Sequence, residues 1–383
     1  MCLPIFGIYV PITMGQSPNS KNYTSNPRDN ILVQGNADLY NNRVLKRTFT
    51  TEVTKTADKD DILMSVRAPV GDIARNQYES IVIGRGIAAI KGNNFLYYQL
   101  EKMNNSGFWK KYIAGSTFES INGKDLKSSD IYISNYKEEK SIGNIFQTLT
   151  KTIQLHERKC EELALIKQAL LQKLFPKKDE VIPEVRYKSF SAAWEQRKLG
   201  DISKTKRGLT YKPSNIDNTG IRVLRSSNIK EDTFVISDND VFVKESAVNI
   251  PFVKNGDILI TAANGSTNLV GKHAIIRDIP KNSAVHGGFM LITTSKEYEF
   301  LNASMSSNWY KKFIKKYVAG GNGAIGNLRK NDLDNQKIYV PKKDEQEKIG
   351  NFFKMLDSLI TLHQRKLEKL KQLKKFLLQN MFI

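Results

Sequence analysis

Cysteine and histidine are scarce in this sequence, with 2 cysteines and 4 histidines among 383 residues. Cys2 and Cys160 are far apart and match no metal or disulfide spacing, so the chain suits a reducing compartment. No apolar run approaches the roughly 20 residues of a membrane span, and residues 1–14 are too short and too poor in basic residues for a signal peptide. These absences predict a soluble, cytoplasmic protein without a metal site or a membrane partner.

Catalytic signatures are also missing. Gly84–Ala89 and Gly321–Gly326 fit the loose G-x-G-x-x-G/A pattern. However, the first opens no convincing helix, and the second follows a Lys-rich amphipathic segment instead of a strand. Both are interpreted as tight turns; an enzyme that binds a nucleotide there is the alternative. The Asn-Pro-Pro-aromatic stretch of adenine methyltransferases is absent, so the sequence predicts a non-enzyme with no catalytic residue and no cofactor.

Positive charge is abundant. The chain has 59 lysines and arginines against 39 acidic residues, a net charge of +20 and a pI near 9.6. A surplus of this size predicts attraction to a polyanion, for which nucleic acid is the default candidate. A generally basic surface with no nucleic-acid partner stays open as the plainer interpretation. Apolar residues make up 40% of the chain, which is long enough for two or three folded domains.

One segment of 38 residues occurs twice in the chain. Residues 138–175 and 345–382 align without a gap, and 18 of the 38 aligned positions are identical. Apolar residues recur in each copy at spacings of four and three. The gaps are filled by polar residues: His156, Lys167, His363 and Lys374. A 3.5-residue period places one apolar seam on a long helix and requires a helical partner, so each copy is predicted to pair with the other. The histidines are interpreted as buried residues that set the register.

The repeated helices divide the rest of the chain into two mixed domains. The predicted boundaries are 1–137 for the first domain, 138–175 for a central helix, 176–194 for a charged linker, 195–341 for the second domain and 342–383 for a C-terminal helix. Short β-rich runs such as 61–66 and 80–83 alternate with turn residues, and a helix is predicted at 95–103. The predicted fold class is α+β, with two mixed domains and two long helices packed as an antiparallel coiled coil about a pseudo-two-fold axis.

Helix caps are also predicted. Asn135 is expected to cap the first long helix, with Glu138 three residues on, and Asp344 and Glu347 are expected to cap the second.

Polar and basic loops in both domains are the predicted DNA-contacting elements. Lysine and arginine neutralise phosphates, whereas Asn, Gln and Arg side chains in loops are suited to base edges. In the first domain the candidates are Gly15, Gln16, Ser17, Asn19, Gln34, Asn36, Arg67, Arg85, Lys110, Lys111, Ser116 and Thr117. In the second they are Lys206, Arg207, Thr210, Tyr211, Arg225, Ser226, Asn228, Asn264, Lys311, Lys312, Lys315, Lys316, Asn322, Asn327 and Arg329. Any one of these loops alone is more often solvated surface; their recurrence in both halves favours binding.

Several motifs resemble one known family. Trp194-Glu-Gln-Arg-Lys-Leu-Gly-Asp-Ile202 opens the second domain, and Met14-Gly-Gln-Ser-Pro18 lies near the start of the first. Glu345–Asn351 and Leu359–Lys366 lie in the second helix. Over nearly its whole length the chain resembles the specificity subunit of a type I restriction-modification system. It departs from that pattern in residues 1–13, which do not match the Trp-x-x-x-x-Leu-Gly-x-Ile segment that normally precedes the Met14 motif.

The resemblance implies a non-catalytic subunit whose two target-recognition domains each read one half of a split double-stranded DNA sequence. It also implies that the helices form a spacer around which two methylase subunits and the restriction subunits assemble. A helix of 38 residues is about 57 Å long, or roughly 17 base-pair steps, which limits the gap. The alternative is a non-enzymatic DNA-binding architectural or scaffold protein with a coiled-coil core, which does not explain two divergent domains in one chain.

Overall fold

The computed structural model describes residues 4–112, 119–177, 180–318 and 327–382. The chain divides into two compact units. Unit 1 consists of Met1–Arg158 and Gln364–Ile383, and unit 2 consists of Lys159–His363. Each unit contains one sheet-rich region and one end of each long helix, so the predicted mixed α/β fold with two sheet-rich regions and two long helices is confirmed.

The described part of unit 1 contains two sheets and three short helices. Its strands are β1 (Ile12–Met14), β2 (Tyr23–Thr24), β3 (Asn30–Val33), β4 (Leu39–Tyr40), β5 (Arg43–Val44), β6 (Thr48–Thr50), β7 (Thr56–Asp58), β8 (Ile62–Ser65), β9 (Ile73–Arg75), β10 (Ser80–Ile83) and β11 (Ile87–Ile90). Its short helices are α1 (Phe6–Tyr9), α2 (Asn94–Asn105) and α3 (Gly123–Ser128). The sheets are ordered β1-β11-β8-β9-β5-β4 and β2-β6-β3-β10-β7. Strands β8 and β10 and helix α2 confirm the elements predicted from the sequence.

Unit 2 has two four-stranded sheets, β13-β22-β19-β20 and β14-β18-β15-β21, and two strand pairs, β12-β23 and β16-β17. Its strands are β12 (Glu195–Lys198), β13 (Lys204–Arg207), β14 (Ile216–Asp217), β15 (Ile221–Leu224), β16 (Ile229–Lys230), β17 (Thr233–Phe234), β18 (Val241–Val243), β19 (Ile258–Thr261), β20 (His273–Ile275), β21 (Ala284–His286), β22 (Met290–Thr294) and β23 (Lys337–Val340). Its helices are α5 (Leu199–Ile202), α6 (Tyr298–Met305), α7 (Asn308–Val318) and α8 (Lys330–Asp334).

The two units share one strand order. The run β1-β11-β8-β9 in unit 1 has the same antiparallel pairing as β13-β22-β19-β20 in unit 2. The run β2-β6-β3-β10 matches β14-β18-β15-β21, and each contains one parallel pair, β3 with β10 and β15 with β21. The duplication seen in the two 38-residue segments therefore extends to the topology of the sheet-rich regions.

The start of unit 1 adopts the expected local structure despite its divergent sequence. Helix α1 directly precedes β1, as α5 precedes β13. Phe6 begins α1 and Leu199 begins α5, and both side chains are fully buried. At the place of the β12–β23 pair, the described residues of unit 1 form a single bridge between Ile5 and Asp130. Phe6 therefore fills the position that leucine has in the second domain.

The long helices are α4 (Tyr136–Lys173) and α9 (Lys343–Asn380), each of 38 residues. Asn135 caps α4 as predicted, because its Oδ1 accepts a hydrogen bond from the Glu138 backbone N–H at 3.0 Å. The predicted caps of α9 are wrong. Because that helix begins at Lys343, Asp344 and Glu347 lie inside it, and Glu347 pairs with Lys343 at 3.3 Å.

The linker predicted at 176–194 is docked onto α9 within unit 2. The Arg186 guanidinium donates two hydrogen bonds, each of 2.7 Å, to the buried carboxylate of Glu345. A bidentate charged pair of this kind is geometrically specific. Glu184 adds contacts to Lys173 at 2.9 Å and to Lys177 at 2.8 Å. The segment is thus tied to the end of one long helix and the start of the other.

In unit 1, the start of α4 packs against the C-terminal end of the second copy. The rings of Phe146 and Phe382 stack with centroids 5.6 Å apart, and Phe95 of α2 contacts the Phe382 ring at 5.1 Å. All three rings are almost fully buried. Farther along, Glu157 pairs with Lys371 at 2.8 Å. The two copies thus meet over an aromatic cluster and an ion pair.

Unit 2 contains the corresponding arrangement. The rings of Phe353 and Phe175 stack with centroids 6.2 Å apart, and Phe300 of α6 contacts Phe175 at 5.8 Å. Lys167 and Asp357 form the ion pair, at 2.7 Å. In both units the phenylalanine near the start of one copy packs against the phenylalanine that ends the other.

The polar positions of the heptads are half-buried. Lys167 and Lys374 both reach a carboxylate, Lys374 that of Glu101 at 2.8 Å. His156 and His363, predicted to be buried, are of intermediate exposure.

Within the described ranges, no helix is long and apolar enough to cross a membrane.

A glycine repeated in both copies explains how closely the helices approach their domains. A Cβ atom at Gly143 would lie 2.9 Å from the backbone nitrogen of Phe95, and one at Gly350 would lie 2.7 Å from that of Phe300. Contacts this short exclude any side chain without backbone movement. The identity of this glycine in the two copies is therefore a packing requirement.

The Phe382→Ala substitution should destabilise unit 1 by about 3–5 kcal/mol, because it empties the space between Phe95 and Phe146. Hydrogen–deuterium exchange of α2 and of the start of α4 measures this loss, while exchange in the sheets of unit 2 should stay unchanged. Phe376→Ala is the matched control, since Phe376 lies six residues earlier, on α9, and is 60% exposed. Equal exchange in the two variants would contradict the assigned role of Phe382.

Candidate nucleic-acid interface

Several polar loops of unit 2 meet around one pocket. Backbone hydrogen bonds join them: Leu209 N to His286 O at 2.7 Å, Gly287 N to Leu224 O at 2.9 Å, and Ala262 N to Phe289 O at 2.9 Å. The pocket has a volume of about 660 Å³ and is lined by Leu209, Thr210, Tyr211, Arg225, Ser226, Ala263, Asn264, Gly265, Gly287, Gly288, Phe289 and Met290. The loops after β13, β15 and β19 and the turn between β21 and β22 thus form a single concave surface.

Five of the predicted contact residues line this pocket, although they come from three separate loops. They are Thr210, Tyr211, Arg225, Ser226 and Asn264. Thr210 is exposed and the other four are half-buried. A concave site with an apolar floor and a few convergent polar groups is typical of ligand recognition.

The Asn264 amide is held at both ends. Its Nδ2 donates a hydrogen bond to the Ser226 hydroxyl at 3.0 Å, and its Oδ1 accepts one from the Ser266 backbone N–H at 2.9 Å. A side-chain amide has two donor hydrogens and two acceptor lone pairs. One donor and one acceptor of Asn264 therefore remain for a ligand, in an orientation that the protein sets.

Arg225 and Asn228 have different roles in their shared loop. Asn228 is fully buried; its Oδ1 accepts from the Arg225 backbone N–H at 2.8 Å, and its Nδ2 donates to Asp240 at 2.8 Å. Asn228 thus shapes the loop from inside. The Arg225 guanidinium reaches the carbonyl oxygen of Asn239 at 3.4 Å, and its buried Nε has no hydrogen-bond partner among the described residues.

The turn Gly287-Gly288-Phe289 was not predicted as part of the site. Phe289 is 75% exposed, and its carbonyl oxygen accepts hydrogen bonds from the backbone N–H groups of Ala262 and Ala263 at 2.9 and 3.1 Å. The turn is therefore fixed while its aromatic ring faces solvent. The sequence did offer a signal for this turn, namely two glycines followed by an aromatic residue. They occupy the position that Gly84–Gly86 has in the first domain.

Unit 1 brings its own predicted residues together at the equivalent place. The Ser17 hydroxyl donates to Gln34 Oε1 at 3.1 Å and accepts from the Arg85 backbone N–H at 3.1 Å. The Gly15 and Gln16 backbone N–H groups each donate at 2.9 Å, to Ile87 and Ile83 respectively. Hydrogen bonds thus join the loop after β1 to the loop after β3 and to the turn after β10. The corresponding loops of unit 2 are joined in the same way.

The turn after β10 is a tight turn, as interpreted from the sequence. It connects β10 to β11 with no helix after it, and Ile87 N donates to Gly84 O at 3.0 Å. A Cβ atom at Gly86 would lie 2.3 Å from the Gln34 carbonyl oxygen. Arg67 is exposed beside this turn, since Val66 N donates to Gly86 O at 2.9 Å.

The remaining predicted residues lie on other surfaces. Lys311, Lys312, Lys315 and Lys316 are exposed on α7, whose buried Tyr310 and Phe313 pack into the core of unit 2. Exposed positions elsewhere are Lys110 and Lys111 in a short 3-10 helix, Lys206 and Arg207 on β13, Asn327 and Arg329 before α8, and Asn19; Asn36 is half-buried. Asn327 is bridged to Ala263, next to the pocket. Ser116, Thr117, Asn322 and the turn at 321–326 lie outside the described residues.

A second cavity, in unit 1, also has a volume of about 660 Å³ but contains none of the predicted contact residues. Three of its four lysines contact the protein: Lys371 pairs with Glu157 and Lys374 with Glu101, both at 2.8 Å, and Lys102 donates to the Phe382 carbonyl oxygen at 2.7 Å. Among the residues that the structure describes, no group of three or more His, Cys, Asp or Glu side chains is placed to hold a metal ion.

Comparison with known protein families identifies one match. A family model described as the type I restriction modification DNA specificity domain matches residues 10–165 and 192–372. A putative type I restriction enzyme MjaX specificity subunit from Methanocaldococcus jannaschii is 32% identical over 183 residues, covering 45% of this chain and 41% of that protein. The first of these relatives is therefore matched over less than half of its length. The MjaVIII specificity subunit from the same organism is 24% identical over 295 residues, covering 73% of this chain and 67% of that protein.

Among solved structures, the crystal structure of a type I restriction-modification system S subunit from M. genitalium has a similar fold. The TM-score is 0.59 at 17% sequence identity, and the match covers 98% of this chain and 94% of that chain. At this identity the likeness concerns the fold.

Two histidines of unit 2 are buried, and one of them, His286, lies beside the pocket. Burial lowers the pKa of His286, which directly precedes Gly287, from its usual 6.5 to about 4. Its Nε2 lies 3.3 Å from the Lys206 carbonyl oxygen. Burial also lowers the pKa of His273, whose Nδ1 lies 2.9 Å from Asn302 Oδ1. Both side chains are therefore neutral in the folded protein near pH 7.

Unit 2 should lose stability as the pH falls from about 6.5 to about 4. In this window the unfolded chain takes up a proton at His286 that the folded state excludes, so stability rises with pH. A pKa lowered from 6.5 to about 4 corresponds to about 3 kcal/mol. Urea unfolding at a series of pH values measures this slope, and His286→Phe should make it shallower while leaving the contribution of His273. An unchanged slope in that variant would contradict the assignment.

Proposed function

Because this chain belongs to the type I restriction modification DNA specificity family, we propose that it supplies sequence recognition to a restriction-modification complex. Each unit reads one half of a bipartite double-stranded DNA target. The observation that carries this proposal is the loop cluster found in both units, with the same backbone connections and different side chains. The target-recognition domains are those predicted at 1–137 and 195–341.

The differences between the two clusters are concentrated at the loop tips. Gln34 and Arg225 directly follow the equivalent strands β3 and β15. At the turn, Arg85 occupies the position of Gly288 in unit 2. A constant scaffold with variable loops is how recognition surfaces are usually diversified. Two readers of this kind fit two unrelated half-sites better than a single palindromic one.

In this proposal the long helices form an antiparallel coiled coil about a pseudo-two-fold axis. The contacts within each unit support it, because the start of one copy always meets the end of the other. The ion pairs Glu157–Lys371 in unit 1 and Lys167–Asp357 in unit 2 join the two copies in the same antiparallel sense. The coil sets the separation of the two half-sites, and the bases between them go unread.

Lysines outside the loop clusters supply phosphate contacts. Lys311, Lys312, Lys315 and Lys316 present one charged face on α7, and Lys110 and Lys111 lie at the related place in unit 1. The net charge of +20 favours long-range attraction to DNA. Phosphate contacts position the protein and carry no sequence information, so specificity remains with the loops.

The partners in this proposal are double-stranded DNA, two methylase subunits and the restriction subunits. Methyl transfer and cleavage belong to those subunits, and the chain itself performs recognition. An architectural DNA-binding protein would share the charge and the helices. It would not need two loop clusters that diverge at their tips, so that alternative is less favoured.

A domain replacement tests this function. Exchanging residues 203–340 for the matching segment of a relative should change one half of the methylated sequence, and leave the other half and the gap unchanged. The measurement is the methylation motif of the full chain assembled with its methylase subunits, read by single-molecule sequencing. The reciprocal exchange in the first domain is the control and should change the other half. A replacement that altered both halves together would contradict separate reading.

A further inference from the structure

We infer that the pocket of unit 2 reads an adenine·thymine base pair from the major groove, with Asn264 bonding the adenine edge and Phe289 packing against the thymine methyl group. This inference rests on the proposed function and names the residues that set specificity at one position of the unit 2 half-site. It follows from two side chains that hydrogen-bonded backbone segments hold next to each other.

Asn264 has the bonding capacity that adenine requires. Its amide is oriented by Ser226 and Ser266 at 3.0 and 2.9 Å, which leaves one N–H donor and one oxygen lone pair. Adenine presents one acceptor, N7, and one donor, N6–H, in the major groove, and asparagine bonds both at once. Guanine presents two acceptors there and leaves the amide oxygen unpaired. The fixed amide therefore selects adenine over guanine.

Phe289 supplies the apolar half of the contact. Its ring is 75% exposed, although its carbonyl oxygen is fixed by hydrogen bonds from Ala262 and Ala263. The ring is thus presented to solvent by a rigid turn and not by a mobile loop. The thymine C5-methyl group is the apolar feature of the major groove, and phenylalanine is one of the side chains that contact it.

The backbone places these two groups together. Ala263 N donates to Phe289 O at 3.1 Å, and Asn264 is the next residue along the chain. Both residues also line the same pocket. One base pair that offers an adenine edge on one strand and a methyl group on the other satisfies both side chains.

Unit 1 does not have the same reader. The position of Phe289 is taken by Gly86, where a Cβ atom would lie 2.3 Å from the Gln34 carbonyl oxygen. The tip of that turn carries the exposed Arg85. The methyl contact therefore belongs to the unit 2 half-site alone.

Base analogues test each contact atom by atom. The full chain, assembled with its methylase subunits, first selects its target from randomised duplexes. Binding is then measured on duplexes in which single adenines become 7-deazaadenine, which lacks the N7 acceptor, or single thymines become uracil, which lacks the methyl group. The variants are Asn264→Ala and Phe289→Ala. The matched controls are Asn218→Ala and Ile236→Ala, at exposed positions of unit 2 outside the pocket.

At one position of one half-site, the unmodified protein should lose affinity roughly 10- to 100-fold with 7-deazaadenine, and roughly 4-fold with uracil in the paired strand. Asn264→Ala should be insensitive to 7-deazaadenine there, and Phe289→Ala insensitive to uracil, while both controls behave as the unmodified protein. Variants that keep the full sensitivity, or that lose affinity equally at every position, would overturn the inference. A protein that selects no bipartite sequence would instead overturn the proposed function.

Discussion

The structure depends on one repeated contact, in which a phenylalanine near the start of one long helix stacks on the phenylalanine that ends the other copy. Phe146 meets Phe382 in unit 1, and Phe353 meets Phe175 in unit 2, with interplanar angles of 26° in both. In each unit a third ring from the globular part, Phe95 or Phe300, completes the cluster. The same contact therefore holds the helices to each other and to the short helix α2 or α6 of each globular part.

The loops are attached to this framework through strand ends. Each loop cluster consists of a loop after the first strand of one sheet, a loop after β8 or β19 in that sheet, a loop after β3 or β15 in the other sheet, and the turn that connects the two sheets. Backbone hydrogen bonds fix the connections, so side chains at the tips vary without loss of the scaffold. Arg85 and Phe289 show how far the tips diverge within one chain. In the proposed function, this divergence is what allows two unrelated half-sites to be read.

The long helices and the Asn135 cap could be predicted because they depend on short-range spacing along the sequence and on local hydrogen bonding. The loop cluster could be predicted only in part. Thr210, Arg225 and Asn264 are polar loop residues, but only the strand pairing shows that they share a pocket. Phe289 was missed because the two glycines before it indicate a turn but do not show that its ring is exposed beside the pocket. Asn228 was selected for its side chain, yet it is buried because its amide supports the loop from inside.

Changing the length of the two helices tests the proposed recognition mechanism most directly. Inserting one heptad after Lys159 and one after Lys366, an identical pair in the two copies, preserves both apolar seams. Seven residues lengthen a helix by about 10 Å, roughly three base-pair steps. The methylation motif of the lengthened protein, assembled with its methylase subunits, should keep both half-sites and gain a gap about three base pairs wider. An unchanged gap, or a change in either half-site, would contradict a coil that holds two independent readers at a fixed separation.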